Sequence, residues 1–286
     1  MIFVFIEKAP DRKEHLEKLV EELRPSLPRN CTVEVECGLF DDTMTKALDV
    51  LDGQKRGLAP AFVMVDPFGV SGTPMRVLKR LLSNPKCEVY VSFMFESISR
   101  FRDTPEFAPH LDELFGCSHW RRGIPLTDPT ERKNFFYGLY EEQLREAGAE
   151  QIVRFELYEG SRLIYAIFFG THSTKGADRM KEAIWKVVPF GDFAFRGTRS
   201  DQLGLDLVQN NFGPLQAALR KRFAAQGWVQ VEEMEDFVAS DQTDYYSGQL
   251  RRGALTPMET SGELEVEPGS RRKRRTYPDG TRIRFK

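Results

Sequence analysis

Short apolar runs alternate with amphipathic segments along much of the chain, and this alternation is the feature that most restricts the fold. Residues 2–6 read IFVFI and residues 62–65 read FVMV, with no polar residue inside either run. Strands that are apolar on both faces are typical of a parallel sheet covered by helices on both sides. The pattern therefore predicts an α/β fold with a mostly parallel sheet.

The remaining elements follow the same rule. Leu16, Leu19, Val20 and Leu23 recur at helical spacing after the first strand, and Thr73 with Pro74 predicts the start of another helix. Further strands are predicted at 32–36 and 88–95, and an antiparallel hairpin at 151–158 and 163–170. Long helices are predicted at 131–148 and 177–188.

Composition changes at residues 189–204, which are rich in glycine and without sustained periodicity, and this segment is predicted to be a linker. Beyond it, helices are predicted at 212–226, 230–240 and 243–261, followed by a hairpin of ELEVE and RIRF. Three helices and a terminal hairpin are the layout of a winged helix-turn-helix domain. We therefore expect a first domain at 1–200 and a winged helix at 205–286.

Composition and charge exclude several classes of protein. The 286 residues are 41% hydrophobic, which indicates a folded chain. The net charge of −2 is close to neutral and does not indicate any particular charged partner. The four cysteines and four histidines are dispersed without metal-ligand spacing, so no metal site is predicted and the thiols are expected to be reduced, in the cytoplasm. No apolar stretch is long enough to span a membrane.

Acidic residues follow three successive predicted strands, where ligands of open α/β sheets gather. Glu7 ends the first strand and is a candidate to accept hydrogen bonds from the ribose hydroxyls of a nucleotide. Asp41 or Asp42 is a candidate to accept a hydrogen bond from the adenine amino group of that nucleotide. Each of these acids also has a structural alternative. Glu7 could stabilise the start of the following helix through the helix dipole, and Asp41 or Asp42 could cap a helix.

The third strand ends in Asp66, Pro67, Phe68 and Gly69. Asp66, with a carbonyl beside Pro67, could accept a hydrogen bond from an exocyclic amine, while Phe68 stacks on the base and Gly69 allows the backbone to turn. Orientation of this kind assists transfer of an already activated methyl group. The alternative is ordinary turn chemistry, which these residue types also favour.

A resemblance extends this interpretation. The stretches FVFIEK, PAFVMVDPFGVSGTPMRVLKRLL, LDELFG, YEEQLREAGA, MKEAIWKVVP and RRTYPDGTRIRF together resemble the three-Cys-motif partner protein family (TcmP), over nearly the whole chain. The resemblance implies a Rossmann-like class I methyltransferase fold using S-adenosylmethionine, a winged helix, and a partner protein with a three-cysteine motif. The DPFG element is also similar to one in tRNA guanine-N2 dimethyltransferases, which implies a base amino group as the target.

This chain departs from that family at one point. The family begins with a strand and a glycine-rich loop for the cofactor, and neither is found here. The missing strand would lie between the strands at 2–6 and 62–65, leaving an apolar gap. Two expectations follow: the sequence is an N-terminally truncated member of the family, or a form that has lost the cofactor loop and keeps only a binding role.

The last residues are strongly basic. From Glu267 to Lys286 there are eight lysines and arginines against two acids. A basic wing contacts phosphates, so Arg271, Arg272, Lys273, Arg274 and Arg275 are predicted to bind nucleic acid, with Arg251 and Arg252 on the preceding helix. A solvated loop, or a surface that holds a protein partner, remains the alternative.

Two functions are thus predicted. The first is a methyltransferase acting on an amino group of a nucleic-acid base. The second is a non-catalytic protein that binds nucleic acid or a partner.

Overall fold

The structure is a computed structural model that describes residues 1–67, 69–188, 194–195 and 211–286. The chain is of the α/β class and forms two compact units, one of residues 1–87 and 97–147, the other of residues 88–96 and 148–286. Most of the segment predicted as a linker, 189–204, lies outside the described residues. The domain boundary expected near residue 200 also lies outside the described residues.

The first unit begins with two parallel strands. The strands β1 (Ile2–Glu7) and β2 (Thr32–Cys37) pair from Ile2 opposite Thr32 to Glu7 opposite Cys37. Helix α1 (Pro10–Leu23) connects them, as a parallel pair requires a crossover. Helix α2 (Phe40–Gly53) then leads to β3 (Ala61–Val65).

The core of the first unit lies among its helices. Helix α3 (Met75–Leu82) buries Val77, Leu78, Leu81 and Leu82 completely. It packs against α5 (Ala108–Phe115) and α6 (Pro129–Glu146), while the short helix α4 (Phe95–Phe101) precedes α5 along the chain. Phe115 lies against the rings of Phe136 and Tyr140, at 5.8 and 6.1 Å. This aromatic packing explains why α6 carries bulky residues on its inner face.

The strands β1 and β3 expose apolar side chains that the sequence pattern predicted to be buried. Phe3 is 44% and Val4 52% exposed on β1, while Phe62 is 56% and Met64 61% exposed on β3. Consecutive exposed residues lie on opposite faces of a strand, so both faces of β1 carry partly exposed side chains. The pairing described for β1 is with β2 only, and a two-stranded sheet offers too few neighbours to cover it.

In the second unit, four strands lie in the order β4, β6, β5, β7. They are β4 (Cys87–Phe93), β5 (Gln151–Glu159), β6 (Arg162–Thr171) and β7 (Ala194–Phe195). The β4–β6 and β5–β6 pairs are antiparallel and the β5–β7 pair is parallel, so the sheet is mixed. The hairpin predicted from 151–170 is confirmed. Helix α7 (Thr174–Val187) packs on β5 and β6.

The C-terminal part of this unit combines helices with a small sheet. Its helices are α8 (Gly213–Phe223), α9 (Val231–Ala239), a π-helix (Leu250–Leu255) and α10 (Thr256–Ser261). Its strands β8 (Val229–Gln230), β9 (Leu264–Val266) and β10 (Arg282–Phe285) lie in the order β8, β10, β9 with antiparallel pairing.

One hydrophobic cluster joins these C-terminal elements to the mixed sheet. Phe155 of β5 and Trp185 of α7 belong to the same buried cluster as Leu219, Leu250 and Phe285. Residues 211–286 therefore share a core with α7 and β5, because apolar side chains on all of these elements are buried against one another.

A buried lysine ties α7 to the C-terminal elements. Lys181 is 1% exposed, and its Nζ donates hydrogen bonds to the carbonyl oxygens of Val238 (2.5 Å), Ser240 (2.6 Å) and Thr243 (3.1 Å). These carbonyls lie at and beyond the end of α9, where helix carbonyls lack partners. One turn earlier on α7, the Asp178 carboxylate accepts hydrogen bonds from the N–H and hydroxyl of Ser247.

We predict that Lys181→Met lowers the free energy of unfolding by about 1 to 3 kcal/mol, because it leaves buried carbonyls unpaired. Burial lowers the pKa of Lys181 from 10.5 to about 8. The unfolded chain then binds more protons between these pH values, so the contribution of Lys181 to stability rises with pH in that window. The stability gap between wild type and variant should therefore widen there.

Urea denaturation at a series of pH values measures both effects. Lys186→Met is the matched control, since Lys186 is on the same helix and 73% exposed. Equal destabilisation by the two substitutions would contradict the role assigned to Lys181.

Candidate nucleic-acid interface and strand-end acids

Glu7 is engaged at the beginning of α1. Its Oε1 accepts a hydrogen bond from the backbone N–H of Ala9 at 2.9 Å, and Ala9 is the residue that precedes the helix. An acid at this point satisfies an unpaired N–H and interacts favourably with the helix dipole. The described contact of Glu7 therefore matches its structural alternative, in which the acid stabilises the start of a helix.

Asp41 and Asp42 lie in the first turn of α2 and have different surroundings. Asp41 forms an ion pair with Arg76 of α3 and accepts a hydrogen bond from Thr45. Asp42 is exposed. Neither caps the helix, because the residue at the cap position is Leu39, which has no side-chain hydrogen bond.

Asp66 is exposed at the end of β3 and has no hydrogen bond or ion pair with the described residues. Pro67 is half-buried, and Phe68 lies outside the described residues. Gly69 has a φ of 94°, a conformation that glycine adopts without strain. The Asp66 carboxylate is accessible to solvent.

Two of the acids predicted to contact S-adenosylmethionine make other contacts in this structure. One carboxylate oxygen of Glu7 caps a helix, and Asp41 is neutralised by Arg76. A nucleotide ligand would have to compete with both contacts. Only Asp42 and Asp66, among the acids predicted at the strand ends, lack a described partner.

The acids near the C-terminus are all paired with arginines. From Glu259 onward there are five, and each forms an ion pair. The pairs are Glu259 with Arg271, Glu263 with Arg220, Glu265 with Arg284, Glu267 with Arg282, and Asp279 with Arg251. Two residues predicted to bind nucleic acid, Arg251 and Arg271, therefore form ion pairs within the protein. Arg251 also contacts Glu235 at 2.8 Å.

The Glu259–Arg271 pair is the most buried of these. The Glu259 side chain is 11% and that of Arg271 13% exposed, and both guanidinium nitrogens of the bidentate pair contact the carboxylate. The hydroxyl of Tyr277 donates to the same carboxylate at 2.6 Å, and the guanidinium carbon of Arg271 lies 5.5 Å from the centre of the Tyr277 ring. We call these three residues the loop clamp.

The loop clamp shifts the ionisation of its members. Hydrogen bonding from Arg271 lowers the pKa of Glu259 to about 2. Burial, with the hydrogen bond to Glu259, raises the pKa of Tyr277 to about 12. At neutral pH the clamp therefore consists of a carboxylate, a guanidinium and a neutral phenol, which is the arrangement that its hydrogen bonds require.

Four consecutive cations lie between the two ends of the loop clamp. Arg272, Lys273, Arg274 and Arg275 are exposed and form no ion pair with the described residues. Arg275 has a φ of 60°, so the backbone turns at that residue. We call residues 272–275 the basic loop. Arg252, on the π-helix, is likewise exposed and without a described ion pair.

Sequence reasoning found the basic loop but missed the loop clamp. Glu259 lies 12 residues before Arg271, across a helix end and a strand, and nothing in the local pattern marks it as a partner. The one available signal was the pairing of ELEVE with RIRF as a hairpin, which brings α10 close to the loop.

Comparison with protein-family models, with curated proteins and with solved structures gave no match. What the resemblance to the TcmP family implies therefore remains a prediction. Among the described residues, no helix is long and apolar enough to cross a membrane. In the same part of the chain, no group of three or more His, Cys, Asp or Glu residues is arranged to hold a metal ion.

We predict that Glu259→Gln removes a stabilising interaction that depends on pH. The pKa of this carboxyl falls from 4.5 to about 2 in the folded protein. Its contribution is therefore complete above pH 4.5 and is lost as the pH falls toward 2. Wild type should be more stable than the variant by about 1 to 3 kcal/mol at neutral pH, and the gap should close on acidification.

Thermal unfolding of both proteins across this pH range measures the gap. A difference that stays constant down to the lowest pH would contradict the charged pairing of Glu259.

Proposed function

We propose that this protein binds nucleic acid through its C-terminal elements, which we interpret as a winged helix. The order α8, β8, α9, α10, β9, loop, β10, with β10 between β8 and β9, supports this interpretation. A winged helix has three helices and a hairpin whose loop is the wing, and here that loop contains residues 272–275.

The proposal rests mainly on the positive charge of the basic loop, whose side chains form no ion pair with the described acids. Each of the five acids from Glu259 onward is neutralised by an arginine. The basic loop therefore presents four positive charges without a described acidic neighbour in contact. An exposed cluster of this kind is repulsive within the protein and becomes favourable when it meets phosphates and releases their counterions.

The neighbouring elements are suited to a duplex. In a winged helix the third helix enters the major groove and the wing contacts the backbone. Here the corresponding segment is the π-helix with α10, and Arg252 is its exposed cation. Contacts from the basic loop position the protein, and only contacts to base edges would provide sequence preference.

We predict that the double variant Arg272→Gln and Arg274→Gln binds a short mixed-sequence DNA duplex more weakly. The loss should be on the order of tenfold for each phosphate contact removed at about 0.1 M salt. The slope of log affinity against log salt should become shallower by about 1.8. Fluorescence anisotropy titrations at several salt concentrations measure both quantities.

The control has the same change of charge elsewhere. Lys18→Gln with Arg24→Gln removes two exposed cations of the first unit, which pair with Glu14 and Glu21. The control should retain wild-type affinity and slope. Equal weakening by the two double variants would show that net charge, and not the basic loop, determines binding.

We propose a second candidate function, methylation of an amino group on a nucleic-acid base with S-adenosylmethionine, assisted by a partner with a three-cysteine motif. The observation in its favour is the Asp66 carboxylate, which is exposed after β3 and has no described partner. Gly69, three residues further along the chain, has a φ of 94°. The resemblance to the TcmP family supports this candidate. The contacts of Glu7 with Ala9 and of Asp41 with Arg76 oppose it, because a bound cofactor would have to compete with them.

We predict that Asp66→Ala abolishes methyl transfer to a nucleic-acid substrate and leaves the free energy of unfolding unchanged within about 0.5 kcal/mol, since the side chain makes no described contact. Transfer of a labelled methyl group measures the first effect and urea denaturation the second. Glu22→Ala, which removes an exposed acid of α1 that is not a predicted site residue, is the comparison. Unchanged transfer in the Asp66 variant would exclude its catalytic role.

A further inference from the structure

The basic loop is attached to α10 through a single carboxylate. Arg271 immediately precedes the loop, and Tyr277 follows it after Thr276. Both side chains donate hydrogen bonds to Glu259, so one residue of α10 binds the two ends of the loop. We infer that Glu259 is a positioning residue that fixes the four cations of the basic loop for phosphate contact, an inference that rests on the proposed nucleic-acid binding.

The burial of Glu259 distinguishes it from the other paired acids of this region. Its side chain is 11% exposed, whereas those of Glu265, Glu267 and Glu263 are 32%, 31% and 39% exposed. Exposed ion pairs contribute little because water and salt screen them. A bidentate pair that is largely removed from water, with a third hydrogen bond, restricts both partners to one geometry.

Fixing the loop matters because long cationic side chains on a mobile backbone lose entropy when they bind phosphates. Among the described contacts, the backbone of the basic loop is hydrogen-bonded only at the Lys273 carbonyl, which accepts from the N–H of Thr276 at 3.3 Å and from its hydroxyl at 2.6 Å. Its geometry therefore depends on how its ends are held. The loop clamp supplies that restraint from outside the loop.

The substitution Glu259→Gln distinguishes a positioned loop from a flexible one by the direction in which the affinity for DNA changes. Glu259→Gln removes a negative charge and frees Arg271, so the region becomes more positive. If the basic loop acted as a flexible polycation, the variant would bind a DNA duplex more tightly and with a steeper salt dependence. If Glu259 positions the loop, the variant binds more weakly despite its added positive charge.

The experiment compares Glu259→Gln with Glu265→Gln, using anisotropy titration of a labelled mixed-sequence DNA duplex at several salt concentrations. Glu265 pairs with Arg284 on the same hairpin, so the control has the same charge change. We expect Glu265→Gln to bind as tightly as wild type or more tightly. We expect Glu259→Gln to lose on the order of tenfold in affinity, with a salt slope about 1 smaller, as if one phosphate contact were gone.

Two further measurements separate the explanations. Thermal unfolding identifies the conditions in which Glu259→Gln is folded, and the titrations are made there. Amide hydrogen exchange of residues 270–277 should be faster in Glu259→Gln and unchanged in Glu265→Gln.

The outcomes are distinguishable. Tighter binding by Glu259→Gln, or unchanged hydrogen exchange in the loop, overturns the positioning role and leaves the proposed function standing. Absence of DNA binding in wild type, or indifference of binding to Arg272 and Arg274, overturns the proposed function itself. Weaker binding by Glu259→Gln with a smaller salt slope and a faster-exchanging loop supports the inference.

Discussion

The C-terminal part of this protein depends on a division of its charges into two groups. Each acid from Glu259 to the end of the chain is paired with an arginine, so the charges of these side chains cancel in pairs. The four cations of the basic loop stand outside this pairing. Since exposed like charges repel, such a loop costs stability unless a polyanion neutralises it. On this basis we propose that the basic loop binds nucleic acid.

The basic loop connects β9 and β10, whose side chains belong to the shared hydrophobic core of the second unit. Lys181 and Asp178 of α7 hold the segment between α9 and the π-helix through buried hydrogen bonds. Buried charged groups of this kind are stable only when every hydrogen-bonding atom finds a partner. The C-terminal elements are thus fixed to α7 and to the mixed sheet through polar contacts as well as through the hydrophobic cluster.

Much of the fold could be predicted from the sequence because it is encoded locally. The apolar runs predict β1, β3 and β5, and the helical spacing of leucines predicts α1. The start of α3 differs from the prediction: Thr73 was predicted to cap this helix, but Pro74 is at the cap position and the Thr73 hydroxyl has no hydrogen-bond partner among the described residues. Propensity does not decide which of two neighbouring residues begins a helix.

Burial and pairing could not be predicted, because they depend on distant residues. The apolar pattern of β1 indicates a strand covered on both faces, yet its side chains are exposed, since covering requires neighbours that a local pattern cannot supply. Charge counting likewise treated Arg251 and Arg271 as equivalent to Arg272. Only the structure shows that Glu235, Asp279 and Glu259 neutralise the first two.

The most direct test of this division of charges is nuclear magnetic resonance of the arginine Nε–H groups during addition of a DNA duplex. The account predicts that the signals of Arg272, Arg274 and Arg275 shift with the duplex, while those of the paired Arg271, Arg282 and Arg284 keep their positions. Shifts spread equally over both groups, or confined to the paired arginines, would contradict it.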